Sequence, residues 1–289
     1  MVHDQAEQLR ERIQRTNQTR PTRLITVTSG KGGVGKSNFT LNFALGLIER
    51  GQKVLIFDVD LGLANLDVLM GVTSKNNLLH VIEKNKAIWE LIEKGPNGLE
   101  YIAGGSGFTQ ILQLDDQKLN KLFDQLSTLQ GYADTVFFDT GAGISNESLR
   151  FMLSSDEIIL VTTPEPTSIT DAYAVIKMIH SRNPQAQIKI IINRVSSSRE
   201  GKATADKLTT VAKRFLNMDL QTLGFVPDDT NVMKAVKLQQ PFLLAFPNTQ
   251  ASKGIRELVD QYIGTATIGK SFETTGFKGF LSRMKNMIR

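Results

Sequence analysis

The chain has no cysteine at all. That excludes disulfides, thiolate zinc sites and cysteine-ligated iron–sulfur clusters. Histidine is nearly as scarce: His3, His80 and His180 lie far apart and form no metal-ligand spacing. No apolar run reaches the length of a membrane span, and the N-terminus lacks the apolar segment of a signal peptide. These gaps lead to the expectation of a cytoplasmic protein. A strong overall charge is also missing. The net charge is +5, but residues 1–23 and 270–289 carry more than that between them and the intervening body is near −1. A nucleic-acid binder with a basic body would not be distributed this way.

What is present begins with an apolar, β-branched run, Leu24 to Ser29, followed by Gly30-Lys31-Gly32-Gly33-Val34-Gly35-Lys36-Ser37 and an amphipathic helical pattern from Asn38 to Glu49. Strand, glycine-rich turn and helix in that order satisfy G-x-x-x-x-G-K-[ST] in its structural context. Glycines let backbone N–H groups close around phosphate oxygens, and the helix N-terminus presents further donors. Lys36 can reach the β- and γ-phosphates, and the Ser37 hydroxyl can ligate Mg²⁺. Lys31 is an addition that the general motif does not require.

Lys53 to Phe57 is a second strand pattern and ends in Asp58-Val59-Asp60. Beyond the carboxyl end of a parallel strand, such carboxylates can hold Mg²⁺ or orient an attacking water. Thr135 to Phe138 is a short apolar strand capped by Asp139 and followed by Thr140-Gly141-Ala142-Gly143, a second carboxylate for the Mg²⁺ shell opposite Ser37. Strand patterns also cover Leu99–Ala103, Glu157–Thr162, Ile188–Ile192 and Leu223–Val226, with helical patterns between them and a last body helix over Ser252–Tyr262. Residues 76–98 read as helices with a polar surface. The fold class is therefore α/β, a doubly wound, mostly parallel sheet with helices on both faces. The Asn193 amide is placed for an adenine edge, though an Asn at a strand end needs no ligand.

The two ends differ from the body. In residues 1–21, Val2, Ala6, Leu9 and Ile13 form one narrow apolar stripe at helical spacing. Such a segment is either a loosely packed helix or one that orders on a partner. The body is assigned to residues 22–263, and residues 264–275, rich in Gly, Thr and Ser, are expected to be a linker. In residues 276–289, Phe277, Phe280, Leu281, Met284 and Ile288 line one helical face, with Lys278, Arg283, Lys285 and Arg289 off it. That pattern fits a helix lying on an anionic bilayer; it also fits a helix packed on its own protein.

The loop GKGGVGKS resembles the deviant phosphate loop of the MinD/ParA class of ATPases. The resemblance implies an ATP hydrolase, slow and regulatory, that binds ATP/ADP with Mg²⁺ and closes as a homodimer around two nucleotides. Lys31 would then reach the partner subunit's phosphates. Asp58 to Asp67 is similar to the MinD switch I segment, which implies that Asp60 positions the hydrolytic water, supported by Asp58. Asp139 to Gly143 resembles switch II. Asn193, Arg194 and Pro227 match adenine-holding positions. By the same resemblance Gly30 to Asn38 with Gly141 cradle the nucleotide, Lys31 and Lys36 share in catalysis, and Ser37, Asp60 and Asp139 hold the metal.

Within the class, Asp139-Thr140-Gly141-Ala142-Gly143-Ile144-Ser145 and the extension Asp4-Gln5-Ala6-Glu7-Gln8-Leu9-Arg10 resemble the FlhG (YlxH/FleN) family of flagellar regulators. That implies a partner-binding N-terminus (Asp4, Gln5, Ala6, Leu9, Arg10) acting on an FlhF-type GTPase, contacts with flagellar C-ring components, and a C-terminal membrane anchor used by the ATP-bound dimer. The other functions in the class are MinD-type division-site placement and ParA-type partitioning of DNA or other cargo. The metabolic iron-protein relatives need cysteines this chain lacks.

Overall fold

The computed structural model describes residues 22–60, 66–104, 115–268 and 276–288. The N-terminal stripe, residues 61–65 within the expected switch I, residues 105–114 and most of the expected linker lie outside them. Eight strands form one sheet in the order β3-β4-β2-β5-β1-β6-β7-β8. They are β1 (Arg23–Ser29), β2 (Val54–Val59), β3 (Glu93–Lys94), β4 (Glu100–Ile102), β5 (Thr135–Ala142), β6 (Glu157–Thr162), β7 (Ile188–Val195) and β8 (Gln221–Pro227). All neighbouring pairs run parallel except β3 with β4.

The central strands are apolar on both faces because both are covered. Side-chain alternation divides the core into two layers. Ile25, Val27, Ile56, Phe137 and Ile159 point one way, into a layer closed by α1 (Lys36–Glu49) and α10 (Gln250–Ile268). Leu24, Phe57, Val136 and Phe138 point the other way, toward α4 (Asp116–Ser127), α5 (Asn146–Ser154) and α11 (Gly276–Ile288). On that same face Ile158, Leu160, Ile190 and Ile192 pack under α6 (Pro166–Arg182) and α7 (Ser198–Leu216). The shorter helices are α2 (Leu66–Met70), α3 (His80–Glu83), α8 (Thr230–Lys237) and α9 (Phe242–Ala245).

The structure departs from the sequence patterns in two places. Residues 76–98 hold only the four-residue α3, two 3₁₀ turns (Ile88–Leu91 and Pro96–Gly98) and β3. Asn85 at φ 55°, Asn97 at φ 53° and Gly98 at φ 77° turn the chain left-handed there, which stops helix propagation. The last body helix runs on to Ile268, five residues into the expected linker. Residues 264–268 contain no proline, and Gly264 at their start lowers helix propensity without stopping a helix already under way.

Candidate functional site

The phosphate loop leaves β1 at Ser29 and enters α1 at Lys36. Two of its glycines are required sterically. A Cβ at Gly30 would run into the backbone of Asp171 on α6, so that glycine lets a helix close on the loop. Gly35 caps α1 in the left-handed region at φ 89°, and a Cβ there would strike the amide of Asn193. The Asn193 Nδ2 donates to the Val34 carbonyl at 2.7 Å, so one of its amide hydrogens ties β7 to the loop.

Lys36 is buried and sits at the centre of the site. Its Nζ lies 2.9 Å from Asp139 Oδ1 and 3.2 Å from Ser37 Oγ. The parallel register sets Asp139 on β5 beside Asp58 on β2. Asp58 accepts the backbone N–H of Asp60 at 3.1 Å and that of Leu66 at 3.4 Å. Asp60 is half-buried and faces Gly141: its Oδ1 is 3.1 Å from where a Cβ on that glycine would stand. The expected residues Lys36, Ser37, Asp58, Asp60, Asp139 and Gly141 thus converge on one end of the sheet.

The donor set fits a divalent cation. Asp139 is buried, its Oδ1 is engaged, and its Oδ2 is buried with no hydrogen-bond partner among the described residues. An ionised oxygen in that condition is costly to bury unless a cation or donor arrives. Ser37, Asp60 and Asp139 are the residues that would hold Mg²⁺, which when bound neutralises charge on the β- and γ-phosphates. Next to the loop lies a cleft of about 420 Å³ lined by Gly33, Gly35, Asn38, Asn193, Arg194 and Pro227 among others. That places all three expected adenine-holding residues around one space. Arg194 holds φ at 59°, and its guanidinium meets Asp228 at 3.4 Å at the rim.

Three contributors were not evident from sequence. Thr40, fully buried one turn beyond Lys36, donates to Asp139 Oδ1 at 2.9 Å and orients that carboxylate. Its i+4 spacing from Lys36 was the available signal. Glu165 and Thr167 hold the ammonium of Lys31 at 3.1 and 3.0 Å. Within a single subunit, then, Lys31 rests on its own β6–α6 loop, with both ionic groups partly exposed and the pair correspondingly weak.

Burial, and then the charge of Asp139, raise the Asp58 carboxyl from its ordinary value to about 7. From pH 4 to pH 7 the native state therefore holds a proton that the unfolded chain has lost, and stability falls as pH rises through that window. In nucleotide-free, metal-free protein, Asp58→Asn should raise the free energy of unfolding at pH 8 by up to about 4 kcal/mol, and the melting temperature with it. At pH 5 the gain should shrink. Equal differences at both pH values in thermal melts would contradict this placement of Asp58.

The second expected surface is α11, and the structure turns it inward. Phe277, Phe280, Leu281 and Met284 are buried against the body rather than exposed for a bilayer. Phe280 stacks on Phe138 at 4.7 Å, and lies 6.0 Å from Phe151 of α5. Arg283 donates to the Ser154 carbonyl at 2.8 Å and pairs with Asp156 at 3.1 Å; Lys285 donates to Asn120 at 2.7 Å. Lys278 stays exposed, and Ile288 is described only in its backbone. A helical apolar stripe is the same whether it meets lipid or protein, and here it meets protein.

A family model described as "ParA: NUBPL iron-transfer P-loop NTPase" matches residues 20–263. The chain belongs to the ParA family of P-loop NTPases, on its FleN/YlxH branch. Antiactivator FleN of Pseudomonas aeruginosa is 38% identical over 84% of this chain and 88% of its own. The flagellum site-determining protein YlxH of Helicobacter pylori is 36% identical, covering 91% and 90%. Among solved structures, the septum site-determining protein MinD of Pyrococcus horikoshii, complexed with Mg-ADP, superposes with a TM-score of 0.67 at 26% identity over 86% of this chain and 99% of that one. As a ParA-family member this chain is of an ATP-hydrolysing kind. The site's carboxylates, lysine and glycine loop are the equipment for it.

Proposed function

We propose that this chain is an ATP-operated switch that sets the number or placement of flagella from the cytoplasmic face of the cell membrane. ATP closes two copies around two nucleotides. Lys31 leaves Glu165 and Thr167 to reach the other copy's phosphates, Lys36 supplies charge at its own, and Asp60 orients the attacking water with Asp58 behind it. Slow hydrolysis resets the monomer. In the dimer two α11 helices, each weak alone, bind an anionic bilayer together. Residues 1–21 act on an FlhF-type GTPase, and flagellar C-ring components are the further partners. The near-neutral body argues against non-specific DNA binding of the partitioning kind.

The observation that carries this reading is the seat of α11. It packs on α5, which starts at Asn146 directly after the expected switch II, and on Phe138 and Phe57, the residues just before Asp139 and Asp58. A change at the phosphates therefore acts on the floor beneath α11. Light scattering tests the dimer: with ADP the mass should be that of one 32.0 kDa chain. A non-hydrolysable ATP analogue should double it, and Lys31→Ala should stay monomeric with either nucleotide. Dimerisation of that variant at wild-type concentrations would remove Lys31 from the shared site.

A further inference from the structure

We infer that Arg283 is the lock that makes the seat of α11 answer to nucleotide: its guanidinium ties α11 to the far end of the helix that begins at the expected switch II. The inference rests on the release of α11 proposed above and names the contact that gives way first.

The basic side chains of α11 are held unequally. Lys278 is exposed, and Lys285 donates to Asn120 on the surface of α4. Arg283 is held more firmly. Its Nε and Nη2 donate to the Ser154 carbonyl at 2.8 and 2.6 Å, and Nη2 pairs with Asp156 Oδ1 at 3.1 Å. Asp156 is fixed from its other side, where Oδ2 accepts the Leu24 N–H of β1 at 3.1 Å. Ser154 is the last residue of α5, so its carbonyl is one of those the helix leaves without an internal partner, at the negative end of the dipole. The guanidinium thus satisfies an orphan carbonyl and a part-buried carboxylate together.

α5 is nine residues long, about 13 Å. At its other end Ser145 caps it, accepting the Ser148 N–H at 3.0 Å. Two residues earlier, Gly143 donates its N–H at 2.8 Å to Ser29, which leads into the phosphate loop. One short rod therefore has the expected switch II at its head and Arg283 at its foot. The two kinds of contact that α11 makes respond differently to movement of that rod. Apolar contact with Phe138 and Phe151 is non-directional and survives a small slide. Hydrogen bonds of 2.6 and 2.8 Å do not, because they weaken steeply with distance and angle. The polar foot is the part of the seat that fails first. Its strength suits a device that has to open: the Arg283 side chain is 36% exposed, so the ion pair contributes modestly.

Two substitutions on different elements test the lock in the full chain. Asp156→Asn keeps an acceptor for the Leu24 N–H and leaves α11 untouched. Arg283→Lys keeps the charge that an anionic bilayer attracts but loses the planar fork that holds Ser154 and Asp156 together. With ADP, each should raise flotation with phosphatidylglycerol-containing vesicles at least 3-fold over wild type. Binding with a non-hydrolysable ATP analogue should change less than 2-fold. The double variant should exceed the larger single effect by less than 2-fold, since both substitutions remove one contact. Wild-type flotation with ADP in both single variants, beside a wild-type chain that does respond to nucleotide, overturns the lock and leaves the release of α11 standing. Effects that multiply in the double variant also overturn the lock, because the two residues then act separately. Equal flotation of the wild-type chain with ADP and the ATP analogue overturns the release and the lock together. If Asp156→Asn does not fold, Arg283→Lys decides alone: the 3-fold rise supports the lock, and no rise overturns it.

Discussion

Lys36→Ala should abolish ATP turnover, lowering it by about 10³-fold or more, and should also weaken the fold. The first effect follows from removing a cation preorganised against developing phosphate charge in a buried site. The second follows from what remains. Asp139 would keep the Thr40 hydroxyl but lose its ionic partner, and its Oδ2 already has no hydrogen-bond partner among the described residues. Breaking a buried pair from one side costs about 3–5 kcal/mol. Nucleotide titration, turnover and thermal melts should therefore all move together. Wild-type turnover in a correctly folded variant would place the catalytic charge elsewhere.

The second large effect concerns Phe151→Ala on the body side of the groove. Phe151 is buried between Phe138, at 5.2 Å, and Phe280, at 6.0 Å. Its truncation leaves α11 intact but removes part of its seat. A buried Phe→Ala change costs about 3–5 kcal/mol, with the loss falling on the contact with α11 as well as on the body. With ADP the variant should bind anionic vesicles measurably better than the wild-type chain does, though less than with ATP, because a single α11 binds weakly. Choosing the floor rather than the helix matters here, because Phe280→Ala would weaken the seat and the lipid contact alike. Deleting residues 276–289 is a poorer test for the same reason: it would leave Phe57, Phe138 and Phe151 uncovered in the body. Binding with ADP that stays at the wild-type level in a folded Phe151→Ala chain would show that the seat does not control membrane binding.

The phosphate loop was legible because its chemistry is local. Eight consecutive residues carry the glycines, the lysine and the hydroxyl, and the strand and helix on either side are coded by short-range apolar patterns. Asp139 was legible for a related reason, as the carboxylate that ends an apolar run of four. What escaped was contact at long range. Lys31 and Glu165 are 134 residues apart, and nothing in the sequence around either one marks the other. Thr40 read as one more position on a helix until β5 brought Asp139 to it. The destination of α11 was undecidable from its stripe, since lipid and protein select the same apolar face. Only the complementary floor, assembled from β2, β5, α4 and α5, distinguishes the two.

In the switch proposed above, nucleotide state decides whether α11 lies in its groove or on a membrane. Flotation of the full chain with phosphatidylglycerol-containing vesicles tests it most directly, comparing ADP with a non-hydrolysable ATP analogue at equal protein concentration. The protein should rise with the vesicles in the ATP-analogue sample and stay at the bottom with ADP. Equal flotation in the two samples, at any level, would contradict it.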